Sequence, residues 1–205
     1  MTAPSPYGDR RRGRVGLLGG SFNPAHAGHR HVAECALQRL RLQQVWLLVS
    51  PGNPLKPVAG MAPLSARLAS ARTIADGRRI VATDIETRLG TRYTADTLRR
   101  LRRHFPCRHF VWLMGADNLV QLPRWRAWLD IARCMPFAVL PRPTYNHRAL
   151  AGLAARRLRR ARVPAQFAPA LAGLAPPAWV FLPAPQHAAS ASAIRAAGPQ
   201  RRSRE

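Results

Sequence analysis

Apolar runs of strand length alternate along this chain with segments whose apolar positions recur at helical spacing. The runs fall at residues 14–18, 44–50, 79–86, 109–114, 137–141 and 179–183. Between them lie 28–42, 65–76, 94–105, 125–133 and 147–161, each rich in helix formers. Within 28–42, Val32, Ala36, Leu37 and Leu40 share one helical face, which is therefore predicted to be buried. Ser65 and Thr94 stand where N-caps are expected. Alternating strand and helix predict an α/β fold, a doubly wound parallel sheet covered on both faces. No internal repeat is evident. The polar, basic stretches 1–13 and 199–205 read as mobile tails around a single domain at 14–198. Proline-rich 164–177 reads as a linker or a packed surface loop.

Composition narrows the class. A chain of 205 residues, 47% hydrophobic and 7% aromatic, can bury a real core and is not a disordered chain. The longest apolar runs, at 45–49 and 137–140, are far too short to cross a bilayer, so no membrane partner is expected. Arginine-rich residues 10–14 ahead of apolar 15–18 look at first like an export signal. That run stops at Gly19-Gly20-Ser21 with no apolar core region or cleavage site, which argues against export. Cys35, Cys107 and Cys134 are odd in number and widely spaced, as reduced thiols of a cytoplasmic protein would be.

Thirty-three basic against 9 acidic residues give a net charge of +24. Such a charge suits polyphosphate or nucleic acid. A compositional origin competes, because Lys56 is the only lysine while Arg, Ala and Pro abound, as a GC-rich genome would encode. The clusters at 99–103 and 156–162 contain no aromatics on which bases could stack, which disfavours nucleic acid as the partner. The field would still draw small anionic substrates inward.

The first strand runs into Gly19-Gly20-Ser21-Phe22-Asn23-Pro24-Ala25-His26-Ala27-Gly28-His29 and then directly into a helix. Two glycines let backbone approach a ligand closely, and a helix start offers free N–H groups and a positive dipole end. Doubly wound sheets bind ligands at the carboxyl ends of their strands, where this loop falls. His26 and His29 can both donate to one phosphate. A metal pair is the competing reading, but no carboxylate or cysteine follows at ligand spacing. His31, two positions after His29, should face elsewhere.

Gly-Ser-Phe-Asn-Pro-x-His-x-Gly-His resembles the signature of the HxGH nucleotidyltransferases, and along nearly its whole length the chain resembles the bacterial nicotinate mononucleotide adenylyltransferases. Four further segments fall in that family's order: Pro51-Gly52-Asn53-Pro54-Leu55-Lys56, Arg92-Tyr93-Thr94-Ala95-Asp96-Thr97-Leu98, Gly115-Ala116-Asp117 with Trp125, and Ser190-Ala191-Ser192-Ala193-Ile194-Arg195. Two departures stand out. Leu55 replaces a histidine that many members carry. Ala191-Ser192 replaces a serine and a threonine, with the loss of one hydroxyl.

The resemblance implies a Rossmann-like nucleotidyltransferase fold and attack by the acceptor's phosphate oxygen on the α-phosphorus of ATP. That nucleophile is already ionised, so no general base is needed and catalysis rests on positioning and charge stabilisation. By resemblance His26, His29 and Arg195 are catalytic, handling the ATP phosphates. Gly19, Gly20, Ser21, Phe22, Asp117 and Ser192 belong to the ATP site, with Asp117 on ribose hydroxyls. Asn53, Lys56, Thr94, Trp125 and Arg142 belong to the mononucleotide site: Thr94 meets the pyridine carboxylate through backbone N–H groups, Trp125 stacks on the ring and Arg142 pairs with the phosphate. Asp117 as a helix cap, and Trp125 as a core residue with Trp128 in its place, are the competing readings. Mg²⁺ is expected to arrive on the ATP phosphates, with no metal held by the protein alone. Nicotinamide mononucleotide and phosphopantetheine are the alternative acceptors; enzymes for the latter commonly have threonine where His26 stands. Oligomeric state stays open, a homo-oligomer included.

Overall fold

The computed structural model describes residues 3–52 and 60–185. Six strands form one parallel sheet: β1 (Gly13–Gly20), β2 (Gln44–Val49), β3 (Ile80–Thr83), β4 (Arg108–Gly115), β5 (Phe137–Leu140) and β6 (Trp179–Phe181), in the order β3-β2-β1-β4-β5-β6. The helices are α1 (Ala27–Arg39), α2 (Leu64–Thr73), α3 (Ile85–Arg88), α4 (Thr94–His104), α5 (Ala116–Gln121), α6 (Trp128–Cys134), α7 (Asn146–Leu150) and α8 (Leu153–Arg157).

Side chains of a strand alternate between faces, and here both faces are apolar, so the strands read as unbroken hydrophobic runs. Val15, Leu17, Trp46, Leu48, Phe110 and Trp112 enter one core with Leu98 and Leu101 of α4, Leu119 of α5 and Ile131 of α6. Leu18, Val45, Leu47, Val111 and Leu113 enter the other with Ala36 and Leu37 of α1, Ala71 of α2 and Leu171. The chain reverses direction across the sheet between β1 and β4, opening a crevice at their carboxyl ends.

All six predicted strands and the doubly wound class are present, while several boundaries shift. The run 79–86 ends as strand at Thr83, because the Thr83 hydroxyl accepts the Ile85 N–H at 3.2 Å and the Asp84 carbonyl starts α3. The helix expected at 147–161 breaks at Gly152 into α7 and α8, followed by a 3₁₀ turn at Arg159–Ala161. Trp125 lies outside α6, at the end of the 3₁₀ turn Leu122–Arg124; Ala127, with φ of 51°, separates the two. Neither expected cap holds: Pro63 precedes α2 and Tyr93 precedes α4, leaving Ser65 and Thr94 inside their helices. Residues 164–177 take the packed alternative, a 3₁₀ helix at Ala165–Gly173 that buries Leu171 completely.

Part of the stretch expected as an amino-terminal tail packs on the domain. Pro4 is buried, the Asp9 N–H donates to the His104 carbonyl at 3.1 Å, and the Asp9 carboxylate pairs with Arg108 at 2.9 Å. Residues 199–205 lie outside the described residues.

Candidate active site

β1 delivers the turn to the mouth of the crevice, and tight packing sets its first residues. A Cβ on Gly19 would strike the Trp112 ring of β4, so only glycine fits there. Phe22 adopts φ of 48°, in the left-handed region unusual for a large side chain. Burying its ring almost completely against Leu18 and its neighbours offsets that strain.

His26 is the N-cap of α1, and the two histidines cap one another. His26 Nδ1 accepts the Gly28 N–H at 3.1 Å, and His29 Nδ1 accepts the His26 N–H at 3.3 Å. This is a capping box with imidazoles in place of hydroxyl and carboxylate. Their rings lie 3.9 Å apart, and Phe22 stands 4.8 Å from His29. An accepting Nδ1 carries no hydrogen on a neutral ring, so the backbone fixes the tautomer with the proton on Nε2 of both rings. Both imidazoles are thus held at the start of α1 through Nδ1, and His26 is 7% exposed. His31 does face elsewhere, its Nε2 lying 2.8 Å from the Pro185 carbonyl.

β4 and β5 bring two more predicted residues to the same edge. Asp117 sits in the first turn of α5, where Gly115 rather than Asp117 is the N-cap, so the capping alternative fails. Its carboxylate occupies the space a Cβ on Gly115 would need, and Arg142 Cδ lies 3.9 Å from that point. Arg142 follows β5, and its N–H is held by Asn146 Oδ1 at 2.8 Å. Asp117 and Arg142 therefore converge across neighbouring strand ends.

Thr94 opens α4, whose N-terminus has no side-chain cap, leaving first-turn N–H groups for an anion. Arg126 joins this helix start to the Trp125 segment: its guanidinium lies 4.6 Å from the Tyr93 ring and 4.0 Å from Asp96. Trp125 and Trp128 are both half-buried against the same core. Asn53, Lys56, Ser192 and Arg195 lie outside the described residues.

Three residues support the site without having been given a role from the sequence, although Asn23 belongs to the turn motif itself. Arg67, 2% exposed in α2, donates to the carbonyls of Ser21, Ser50, Pro51 and Ala62. Asn23 bridges the turn to residues 60–62, donating to the Gly60 carbonyl at 2.9 Å and accepting the Ala62 N–H at 3.3 Å. Glu86 anchors the bend before α4: its carboxylate accepts the Thr97 hydroxyl at 3.0 Å, and its carbonyl accepts the Thr91 N–H at 3.0 Å. Burial pushes its carboxyl from an ordinary 4.5 up to about 7, against the opposing Thr97 bond. Burial is the reason Arg67 and Glu86 were missed. A polar residue inside a helical pattern reads as solvent-facing until the tertiary fold covers it.

A family model described as cytidylyltransferase-like matches residues 17–197, so the chain belongs to that family of nucleotidyltransferases. More narrowly, it is an enzyme similar to bacterial proteins named "Probable nicotinate-nucleotide adenylyltransferase". It is 61% identical to that of Gluconacetobacter diazotrophicus over 204 residues, covering 100% of this chain and 95% of the relative. It is 60% identical to that of Gluconobacter oxydans over 185 residues, covering 90% and 95%. The solved structure of Plasmodium falciparum nicotinic acid mononucleotide adenylyltransferase complexed with NaAD superposes with a TM-score of 0.67 at 15% identity, covering 90% of this chain and 83% of that one. At that identity the likeness speaks for the fold alone.

Proposed function

We propose that this chain transfers the adenylyl group of MgATP to nicotinate mononucleotide, giving nicotinate adenine dinucleotide and pyrophosphate, a step of NAD biosynthesis in the cytoplasm. One observation carries the reading. At the crevice between β1 and β4, the start of α1 holds two histidines side by side, each Nδ1 accepting a backbone N–H. The reading rests as well on the likeness to nicotinate-nucleotide adenylyltransferases.

A phosphate oxygen of the mononucleotide attacks the α-phosphorus of ATP, the bond from that phosphorus to the bridging oxygen breaks, and pyrophosphate leaves with the electron pair. His26 and His29 donate to the phosphate oxygens as negative charge shifts toward the leaving group. Ser21 and the backbone of Gly19, Gly20 and Phe22 line the same wall. Asp117 accepts from ribose hydroxyls, Arg142 pairs with the mononucleotide phosphate, the α4 N-terminus at Thr94 receives the pyridine carboxylate, and Trp125 stacks on the ring. Asn53 and Lys56 on the mononucleotide side, and Ser192 and Arg195 on the pyrophosphate side, complete the proposed set. Mg²⁺ would arrive on the ATP, coordinated by substrate phosphates and water. We further propose that residues 14–198 form one nucleotidyltransferase domain.

The test is pyrophosphate release from MgATP with nicotinate mononucleotide, nicotinamide mononucleotide and phosphopantetheine in parallel. An uncapped helix N-terminus takes a carboxylate through charge-assisted bonds of about 1.5–3 kcal/mol each, and an amide NH₂ would face the same N–H groups unpaired. The expected kcat/KM favours the acid by about a hundredfold or more. Equal values for the acid and amide would overturn the nicotinate assignment.

A further inference from the structure

We propose that Arg67 is a positioning residue for adenylyl transfer, holding the phosphate turn and the exit of β2 as one unit and aiming their backbone N–H groups at the crevice. Its guanidinium donates from Nε to the Ala62 carbonyl at 2.9 Å. One terminal nitrogen donates to Ser21 at 2.9 Å and to Ser50 at 2.7 Å, and the other to Pro51 at 3.3 Å. The side chain is 2% exposed, and all four of these partners are carbonyls rather than carboxylates. Burial, with no carboxylate paired to it among the described residues, lowers its pKa from the usual guanidinium range. An apolar residue would fill this place in α2 at less cost, so retaining a charge here calls for a role that the charge performs.

That role follows from peptide planarity. In a trans peptide the carbonyl and the next N–H point in opposite directions. Drawing the Ser21 carbonyl down onto Arg67 turns the Phe22 N–H away from it, and drawing in the Pro51 carbonyl does the same for the Gly52 N–H. Phe22 is the residue at φ of 48°, so its peptide is held in an uncommon orientation by the buried ring on one side and Arg67 on the other. The rest of this face braces the same turn: Ser70 Oγ, one helical turn beyond Arg67, accepts the Ala25 N–H at 2.9 Å, and Asn23 bonds Gly60 and Ala62. β1 and β2 end side by side, with the Ser50 N–H on the Gly20 carbonyl at 3.0 Å. One planar, five-donor group can hold three separate backbone segments in register, and lysine's point charge cannot.

This inference rests on the adenylyl-transfer reading above, and its test separates the two. Arg67→Lys and Arg67→Ala are compared with wild type on whichever mononucleotide wild type uses, together with amide exchange at Phe22 with and without MgATP. Arg67→Lys is expected to keep a cooperative thermal transition, to lower kcat by about 10–100-fold, as small misplacements do, and to leave the KM for ATP within about threefold. Guanidinium at tens of millimolar should restore Arg67→Ala at least about fivefold while leaving a His29 variant unrescued. MgATP should slow Phe22 exchange in wild type and not in Arg67→Lys, a readout that needs no acceptor. Wild type that uses no mononucleotide would sink the functional reading, with Phe22 exchange still deciding the role of Arg67. A folded Arg67→Lys with kcat within twofold of wild type, an absence of guanidinium rescue, or failure of both variants to fold would overturn the positioning role.

Discussion

At the scale of single residues, the two histidines do separate jobs with their two ring nitrogens. Nδ1 accepts a backbone N–H at the start of α1, and Nε2 is the nitrogen proposed to donate to phosphate. Asparagine places its amide oxygen near the Nδ1 position and puts nothing near Nε2. His29→Asn should therefore keep the cap and the thermal transition while lowering kcat by roughly 10²–10³, as other losses of a charge-stabilising donor do. Near-full turnover in that variant would remove His29 from the chemistry. Glu86 offers a second test, in stability rather than rate. Burial raises its carboxyl to about 7 in the folded protein, against an ordinary 4.5 once unfolded. Between those values the folded state holds a proton that the unfolded chain has released, so stability falls as pH rises through this window and levels off above it. The contribution amounts to at most about 3 kcal/mol. Glu86→Gln keeps a group that Thr97 can bond and never ionises, so urea unfolding at pH 5 and pH 8 should show a smaller difference than wild type. An unchanged difference would assign the pH dependence to other groups.

At the scale of elements, much of the fold was legible because a parallel sheet buries both faces of its strands. Each of the six strands is an apolar run that stands out wherever its neighbours are polar, and the β1–α1 turn announces itself by Gly19-Gly20 and His26-Ala27-Gly28-His29. Boundaries were less legible where a short side chain competes with the ladder, as Thr83 does in ending β3, or where one glycine interrupts a long helical pattern, as Gly152 does. The proposed site was readable for residues of the turn and the strand ends and silent for Arg67 and Glu86 packed behind them. Nothing in Leu64–Thr73 separates buried Arg67 from exposed Arg72, since both lie in one alanine-rich helix and only packing against β2 distinguishes them. The arginine run beginning at Arg99 is partly structural. Arg99 pairs with Asp96 and Asp130, Arg100 donates to the Leu89 carbonyl, and Arg102 donates to the Cys134 carbonyl at 2.6 Å. Arg102→Ala should thus destabilise the α4–α6 contact by about 1–2 kcal/mol, leaving a carbonyl without its charged donor, whereas exposed Arg103→Ala should fall within about 0.5 kcal/mol of wild type. Equal unfolding midpoints for the two variants would refute that division.

At the scale of the whole molecule, the sheet has two ends with different work. Strand carboxyl ends carry the turn, Asp117 and Arg142; the amino ends carry the packed segment before β1. There the Asp9 N–H bonds His104 at the last turn of α4, and Asp9 pairs with Arg108 at the first residue of β4. Burial alone would push the Asp9 carboxyl up, but hydrogen bonds from the Arg108 side chain and the Arg11 backbone outweigh it and hold it below the ordinary 3.8. Arg108 also lies over the Trp46 ring at 5.2 Å, so removing Asp9 strips a partner from a cation that is only 10% exposed. The ion pair's stabilisation is present above the ordinary carboxyl pKa and is lost as pH falls through the lower folded value. A chain starting at Gly13 should therefore be less stable by about 1–3 kcal/mol at neutral pH, lowering Tm by several degrees for a protein of this size. The same chain should keep kcat and both KM values within about a factor of two, because the contacts it loses sit at the opposite end of the sheet from the turn. Thermal unfolding and steady-state kinetics on the shortened protein decide both halves. An unchanged Tm would mean that the segment adds nothing to the fold, and a large fall in kcat at moderate salt would place it in the site.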